Sequence, residues 1–290
     1  MAQTAGTLST LDAKARFAAR RLHAWWEGYR FDPMAERAVI QAKLAQNGQP
    51  GGRPVDAIVA EAIWGAGRLE PGSPDWSMRL ANKLALPHKS RVIVFGAGAG
   101  ASVDDLATGA GWKVIGLTPS QSAANDRVVS YDLAMQRVQK SSADGALCLY
   151  QLSRDSNPTA FAEFAADLTT PGAPVIFADY VVARRWAKLP SCFPGGSGFP
   201  KTEREYGASL AAAGFEVESI GDDSEIFRRL IADGWAGWRR AYDAFTHIDD
   251  TRLRAEMLRA MASQASYWAE RNDAIKSGHL GVRILRARKR

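Results

Sequence analysis

The order of apolar and polar positions divides the chain into a helical front part and a part in which strands and helices alternate. Up to residue 88, apolar residues recur at steps of three and four, as they do from Leu11 to Tyr29, which predicts amphipathic helices joined by polar loops. From residue 89, short runs of apolar and β-branched residues alternate with helical patterns. This alternation is typical of a parallel sheet with right-handed crossovers.

Seven short runs have the composition of strands. Arg91–Phe95 is a continuous β-branched run, as expected of a strand buried on both faces. The other six runs are 112–117, 127–131, 145–150, 173–178, 215–220 and 281–286. Before the last run, apolar and aromatic stripes predict two helices. We therefore expect an α/β core over residues 89–290, with a helical insert at about 222–278, behind a helical cap over residues 1–88.

Composition excludes two classes of protein. Hydrophobic residues make up 46% of the chain and charged residues 23%, which is ordinary for a globular protein and argues against intrinsic disorder. The cysteines, Cys148 and Cys192, are too few for a disulfide scaffold and too far apart for a thiolate metal site. The histidines lack metal-ligand spacing, so we expect no metal centre.

The charge of the chain is mildly basic and dispersed. Its 37 Lys and Arg residues against 31 Asp and Glu residues give a net charge of +6, and the densest basic stretch is 283–290. Nucleic-acid binders more often cluster basic residues with aromatic ones on one element, so we interpret this charge as a solvated surface that tolerates anionic partners. The basic helix at 11–29 is most simply docked on a core, with contact to a membrane surface as the alternative.

Two further patterns concern the location of the protein. No window of 18 continuous apolar residues occurs, so the sequence predicts no membrane-spanning helix. The first ten residues have neither the positive start nor the apolar core of a secretory signal. We therefore expect a cytoplasmic protein.

The most informative segment joins the first predicted strand to a helix through a run of glycines. Glycines at this place allow a tight turn and let a ligand touch the backbone, while the helix offers free N–H groups. Gly96, Gly98 and Ala101 fit the fingerprint of dinucleotide-binding domains. Gly96, Gly98 and Gly100 equally fit the glycine loop of class I S-adenosylmethionine-dependent methyltransferases. The loop alone leaves both alternatives open, together with a tight turn that binds nothing.

The end of the second predicted strand separates these alternatives. A dinucleotide-binding domain carries an acidic residue there, which holds the ribose diol. This chain has Gly116-Leu-Thr-Pro-Ser120, and the hydroxyl of Thr118 cannot hold a diol as a carboxylate does. A nicotinamide-dependent oxidoreductase is therefore the weaker alternative.

The segment Gly116–Ser120 resembles the corresponding turn of small-molecule methyltransferases related to cyclopropane-fatty-acid synthases. Further segments resemble the same family in the same order, from about residue 57 to residue 288. They are Ile63–Gly67 (the W-G-x-G segment), Ser130–Asp132, Asp144–Leu149, Leu168–Asp179, Ala211–Val217 and Gly281–Arg286. The resemblance implies a Rossmann-like class I methyltransferase fold, with a seven-stranded, mostly parallel sheet whose last strand is antiparallel, and with helical additions at the front and before that strand.

The resemblance also implies a cofactor, S-adenosylmethionine, and a small or lipid-like methyl acceptor. The residues that it assigns to cofactor binding are Gly96, Ala97, Gly98, Gly100, Thr118, Pro119, Ser120, Asp132 and Tyr150. It identifies no catalytic group. Tyr150, Gln151 and Asp179 lie at predicted strand ends, where α/β sheets bind ligands, but a loop or capping hydrogen bond is the simpler role for each.

One departure from the family pattern bears on activity. Relatives usually carry Asp or Glu two residues before the first glycine, where this chain has Val94. Loss of that acceptor costs a buried amine or N–H group about 1–3 kcal/mol. The rival hypothesis is therefore a catalytically inactive methyltransferase-like subunit that binds a partner, such as an active paralogue, in a homo- or hetero-oligomer.

Overall fold

The computed structural model describes residues 54–119, 127–131, 134–135, 138–184 and 199–290. The described residues from Val55 onwards belong to one compact unit. The helices predicted between residues 11 and 46, and the polar helix predicted near Ser120, lie outside the described residues. The helical cap over residues 1–88 therefore stays a prediction.

The sheet has seven strands in the order β3-β2-β1-β4-β5-β7-β6. They are β1 (Arg91–Phe95), β2 (Lys113–Thr118), β3 (Val128–Ser130), β4 (Gly145–Leu149), β5 (Pro174–Val182), β6 (Phe215–Asp222) and β7 (Leu280–Lys289). The first five are parallel, and β7 runs antiparallel to both β5 and β6. The predicted sheet is confirmed, including its antiparallel last strand.

Eight helices surround the sheet within the described residues. They are α1 (Val55–Trp64), α2 (Pro74–Leu84), α3 (Ala101–Gly109), α4 (Pro158–Leu168), α5 (Glu203–Ala212), α6 (Ser224–Ala236), α7 (Trp238–Thr246) and α8 (Thr251–Lys276). The prediction of two helices between β6 and β7 was wrong, because α6 and α7 are separate. Gly237 caps both of them, and the aromatic stripe that crosses it concealed the break.

Strand β5 ends four residues later than predicted. Its antiparallel pairing with β7 continues to Val182 opposite Leu280, so the strand does not stop at Ala178. Asp179 was expected at a strand end. It lies instead inside the sheet, opposite Arg283. The basic C-terminal stretch is partly neutralised in this region, since Arg283 forms ion pairs with Glu203 and Asp222.

Two helical layers cover the faces of the sheet, and a third group covers its carboxyl end. Helices α4 and α5 contribute to the core on one face, around Phe95 and Phe177, whereas α2 and α3 pack on the other face against Val92 and Val94. Helices α1, α6, α7 and α8 share an aromatic core with the ends of β4 and β5. We call these four helices the lid. Within the described ranges, every helix is too short or too polar to cross a membrane.

The packing of α3 and the glycine loop against β2 leads to a stability prediction. A Cβ atom at Gly116 would lie 2.7 Å from Ala97 Cβ and from Val103 Cγ2, so Gly116→Ala should lower the free energy of unfolding by about 1–3 kcal/mol. Gly207, inside α5, has no atom within 4 Å of its would-be Cβ. Gly207→Ala should therefore raise the same quantity by about 0.5–1 kcal/mol. Urea denaturation measures both, and equal midpoints would contradict the packing argument.

Candidate functional site

The glycine loop follows β1 at the carboxyl end of the sheet. Gly96, Gly98 and Gly100 have φ values of +74°, +58° and +110°, which side-chain-bearing residues rarely adopt. The carbonyl of Leu117 in β2 accepts hydrogen bonds from the amides of Gly96, at 2.8 Å, and Ala97, at 3.1 Å. The backbone of the neighbouring strand therefore fixes the start of the loop.

The ends of β3 and β4, and the residues just after them, hold the loop from the other side. A Cβ at Gly96 would lie 2.3 Å from Gln151 Nε2 and 2.4 Å from the carbonyl of Leu149, so only glycine fits. Gln151 donates to that carbonyl at 2.7 Å and accepts from the hydroxyl of Tyr131 at 2.7 Å. The ends of β1, β3 and β4 are thus joined by one set of contacts.

The segment between α1 and α2 packs against the start of α3. The amide of Ala101 donates to the carbonyl of Gly67 at 3.2 Å, and a Cβ at Gly67 would lie 3.0 Å from that amide nitrogen. Arg68 pairs with Asp105 of α3, and Ser77 Oγ donates to the same carboxylate at 2.7 Å. The segment that resembles W-G-x-G is therefore braced on the helix that follows the glycine loop.

A cavity of about 280 Å³ lies between this segment, the glycine loop and the ends of β2 and β4. It contains six of the predicted cofactor-binding residues: Gly96, Ala97, Gly98, Thr118, Pro119 and Tyr150. Gly100 is the N-cap of α3, next to the cavity. Ser120 and Asp132 lie outside the described residues, so their assignment stays a prediction.

Sequence reasoning missed several residues of the cavity wall. Leu69 and Glu70 come from the segment before α2, Ser102 from the start of α3, and Arg154 from the turn after β4. The resemblance pointed towards the first segment but ended at Gly67. Glu70 and Arg154 form an ion pair, which no spacing in the sequence indicates.

The donor groups of the cavity fit a nucleoside-containing ligand. The amides of Gly98 and Ala99 donate no hydrogen bond to any other described residue, and the first turn of α3 starts beside them. The hydroxyl of Thr118 lies at the end of β2, where folds of this type place a ribose. The glycine loop therefore offers uncommitted N–H groups, and the end of β2 offers a hydroxyl, to such a ligand.

Val94 occupies the position where relatives carry an acid. Its side chain is fully buried in an apolar cluster that includes Trp76, Leu80 and Leu147. Within the described residues, the cavity wall does not include Val94. The underside of the glycine loop is therefore apolar, and the carbonyl of Leu117 orders the loop instead of a carboxylate.

The polar residues near the ends of β4 and β5 are engaged in structural hydrogen bonds. Asp179 accepts from the amides of Leu152, at 2.7 Å, Ser153, at 3.2 Å, and Tyr180, at 2.8 Å. Burial raises the pKa of Asp179 to about 6, although these amides favour its ionised form. The carboxyl group therefore shapes the turn after β4 and has little capacity left for a ligand.

Tyr150 combines an unusual backbone with a buried ring. Its φ of +55° is rare for a residue with a side chain, and its ring stacks on Tyr180 with centroids 5.1 Å apart. Burial raises the pKa of the Tyr150 hydroxyl well above its ordinary value, so the group stays protonated at neutral pH. Tyr150 lines the cavity as a neutral aromatic wall.

Comparisons with known proteins place this geometry in a structural class. No family model and no curated protein sequence matches the chain. A phosphoethanolamine N-methyltransferase 2 from Haemonchus contortus, solved with S-adenosylhomocysteine, superposes with a TM-score of 0.65 at 13% identity over 80% of this chain. This chain spans only 57% of that protein.

Two other solved structures are matched over most of their own length. The cyclopropane synthase MmaA2 from Mycobacterium tuberculosis has a TM-score of 0.57 at 15% identity, covering 77% of this chain and 86% of the other. The [4+2]-cyclase SpnF has a TM-score of 0.61 at 18% identity, covering 83% and 96%. The chain has the class I methyltransferase fold.

The apolar surroundings of Val94 predict the effect of restoring the family's acid. Val94→Asp should lower the free energy of unfolding by about 3 kcal/mol or more, because no polar partner offsets the buried carboxyl group. Val94→Thr, of similar shape, should cost about 1–2 kcal/mol. Thermal and urea unfolding measure both. An Asp variant as stable as the Thr variant would show that the underside of the loop accepts a carboxyl group.

The raised pKa of Asp179 predicts a dependence of stability on pH. Between about pH 4 and 6 the carboxyl group is protonated in the folded state and largely ionised in the unfolded state, so the folded protein binds more protons. The contribution of this group to stability therefore rises as the pH falls through that range. Relative to Asp179→Asn, the wild type should gain about 2 kcal/mol between pH 7.5 and 4.5 in urea denaturation. A constant difference would refute the shift.

Proposed function

We propose that this protein binds S-adenosylmethionine beside the glycine loop and transfers the methyl group to a small or lipid-like acceptor. The observation that carries the proposal is that the glycine loop, the end of β2 and Tyr150 line one and the same cavity. Methyltransferases that share the fold support it, since the Haemonchus contortus structure contains S-adenosylhomocysteine. The sequence resemblance independently pointed to the same cofactor.

Each part of the cavity has a distinct role in this proposal. The amides of Gly98 and Ala99 and the start of α3 supply N–H donors, and Thr118 with Pro119 forms the wall on the β2 side. Tyr150 closes the cavity on the β4 side. The bound cofactor supplies an activated methyl group, while the protein binds, orients and shields it.

The polar residues near the ends of β4 and β5 favour methyl transfer by positioning rather than by proton removal. Asp179 and Gln151 are committed to hydrogen bonds within the protein, and the hydroxyl of Tyr150 stays protonated. Orientation of two reactants alone contributes several kcal/mol to a rate. These facts support an acceptor whose attacking atom already has an available lone pair at neutral pH.

The packing of the lid favours a second candidate function, cofactor binding without transfer. Tyr150, Tyr180 and Phe227 pack with centroids 5.1–5.7 Å apart above the ends of β4 and β5, where an acceptor would approach. All three side chains are buried. An inactive subunit that binds a partner would need no opening there.

Calorimetry with a blocking variant tests cofactor binding. S-adenosylhomocysteine should bind the wild-type protein, and Ser102→Trp should weaken binding at least about tenfold, because the new ring fills the cavity. Thr108→Trp is the control, since Thr108 is exposed on the same helix and outside the cavity wall. Absence of heat from the wild type at millimolar ligand would refute methyl transfer and cofactor binding by this cavity, and would leave an inactive subunit that binds a partner.

Label transfer separates the two functions. The wild-type protein is incubated with S-adenosylmethionine labelled in its methyl group and with small-molecule or lipid fractions of cell extracts. Label in a product that is lost in Ser102→Trp and kept in Thr108→Trp supports the enzyme. Binding in calorimetry without label in either fraction supports the second candidate.

A further inference from the structure

The cavity wall contains an ion pair of opposite charges that the binding of a nucleoside does not require. Glu70 comes from the segment before α2, and Arg154 comes from the turn after β4. Glu70 is the only carboxylate among the described residues of the wall. Its side chain is 16% exposed and that of Arg154 is 49% exposed, so the pair lies at the edge of the cavity and is accessible from it.

The second cationic group of the wall is in a different situation. Arg68 pairs with Asp105, and both side chains are nearly buried, at 12% and 13% exposure. Asp105 also accepts a hydrogen bond from Ser77 Oγ. These contacts join the segment before α2, and α2 itself, to α3, which leaves Glu70 and Arg154 as the charged residues of the described wall that are available to a ligand.

Both members of the accessible pair stand on braced backbone. The turn that carries Arg154 is held by the hydrogen bonds of Asp179 to the amides of Leu152 and Ser153. The segment that carries Glu70 is held by the contact of Gly67 with the first residue of α3. The two charges therefore lie in defined places without help from a ligand, as preorganised recognition requires.

The ion pair of Glu70 and Arg154 lies at one end of the cavity, and this position determines which end of the ligand it meets. Strands β2 and β4 lie on opposite sides of β1, so the cavity runs from Thr118 on the β2 side to Arg154 on the β4 side. With the ribose at the end of the second strand and the adenine on its far side, the remaining end of the ligand lies near β4. In S-adenosylmethionine that end is an amino acid, which carries one ammonium and one carboxylate group.

We propose that Glu70 and Arg154 bind the amino-acid end of the cofactor, with Glu70 accepting from the ammonium group and Arg154 donating to the carboxylate. A carboxylate has lone pairs for more than one donor, and a guanidinium has five N–H donors, so each can serve the ligand and still contact the other. The ammonium and carboxylate groups of the ligand then alternate with the charges of Glu70 and Arg154, so that each charge has neighbours of opposite sign. This inference rests on the proposed cofactor.

The proposal accounts for the valine in β1. With Val94 buried in an apolar cluster, strand β1 supplies no carboxylate to the cavity from below the glycine loop. Glu70 supplies a negative charge from the opposite wall. The acid that the family pattern has and this chain lacks is thus replaced in function by Glu70, which lies outside that pattern.

The test compares ligands with and without the ammonium group on the full-length protein. Calorimetry measures the dissociation constants of S-adenosylhomocysteine, its deamino analogue and methylthioadenosine, which lacks the amino-acid end. On the wild type, the deamino analogue should bind at least about tenfold more weakly than S-adenosylhomocysteine. In Glu70→Gln this difference should fall below about threefold, because the partner of the ammonium group is gone.

Controls separate recognition from folding. Methylthioadenosine should bind Glu70→Gln within about twofold of the wild type, which shows that the adenosine part of the site is intact. Glu163→Gln, at an exposed position of α4, makes the same chemical change away from the cavity and should leave all three constants unchanged.

Two outcomes separate this inference from the proposed function. If the wild type binds S-adenosylhomocysteine and its deamino analogue equally well, or if Glu70→Gln weakens all three ligands in parallel, the ion pair only joins two segments and the inference is wrong while cofactor binding stands. If the wild type binds none of the three ligands, the proposed function itself fails.

Discussion

The site depends on how closely three strand ends approach one another around Gly96. The carbonyl of Leu117 accepts two amides of the glycine loop, and Leu149 and Gln151 come so near that no Cβ fits between them. Close packing of this kind has few alternative arrangements, because backbone atoms cannot move aside as flexible side chains do. The loop therefore has a fixed shape before a ligand binds, and the cavity takes its dimensions from that shape.

The turn after β4 transmits the same order to the other side of the cavity. Asp179 is held in β5 by pairing with β7, and its carboxyl group accepts hydrogen bonds from three backbone amides. A buried carboxyl group is unfavourable unless it is hydrogen-bonded, so the amides and Asp179 stabilise one another. The antiparallel strand β7 thus contributes to the site although β4 and β5 separate it from β1, the strand that precedes the glycine loop.

The sheet could be predicted from the sequence because the spacing and type of apolar residues in a strand depend directly on which of its faces are buried. β1 was predicted at its observed bounds, since only a strand buried on both faces reads as an unbroken β-branched run. The length of β5 depends on its pairing with β7, which is distant in sequence. The break between α6 and α7 depends on one glycine, Gly237, within an otherwise intact aromatic stripe. For the site, glycine spacing predicted the loop and the family resemblance indicated Thr118, whereas Glu70 and Arg154 meet only after β4 and the segment before α2 have folded. Periodicity carries no signal for such a meeting.

The replacement of a first-strand acid by Val94 has a physical rationale in the distribution of charge. An acid at this position would be enclosed by α2 and β4, where desolvation is costly, and its charge would have to be matched by buried donors. The carboxylate of Glu70 on the opposite wall keeps some contact with solvent and pairs with the guanidinium of Arg154. The apolar underside then strengthens packing between α2 and the sheet, while the accessible wall retains a charge that can face a ligand. On this view the valine does not by itself indicate a decayed site. In this proposal, stability and charge recognition are carried by separate residues, Val94 below the glycine loop and Glu70 on the opposite wall.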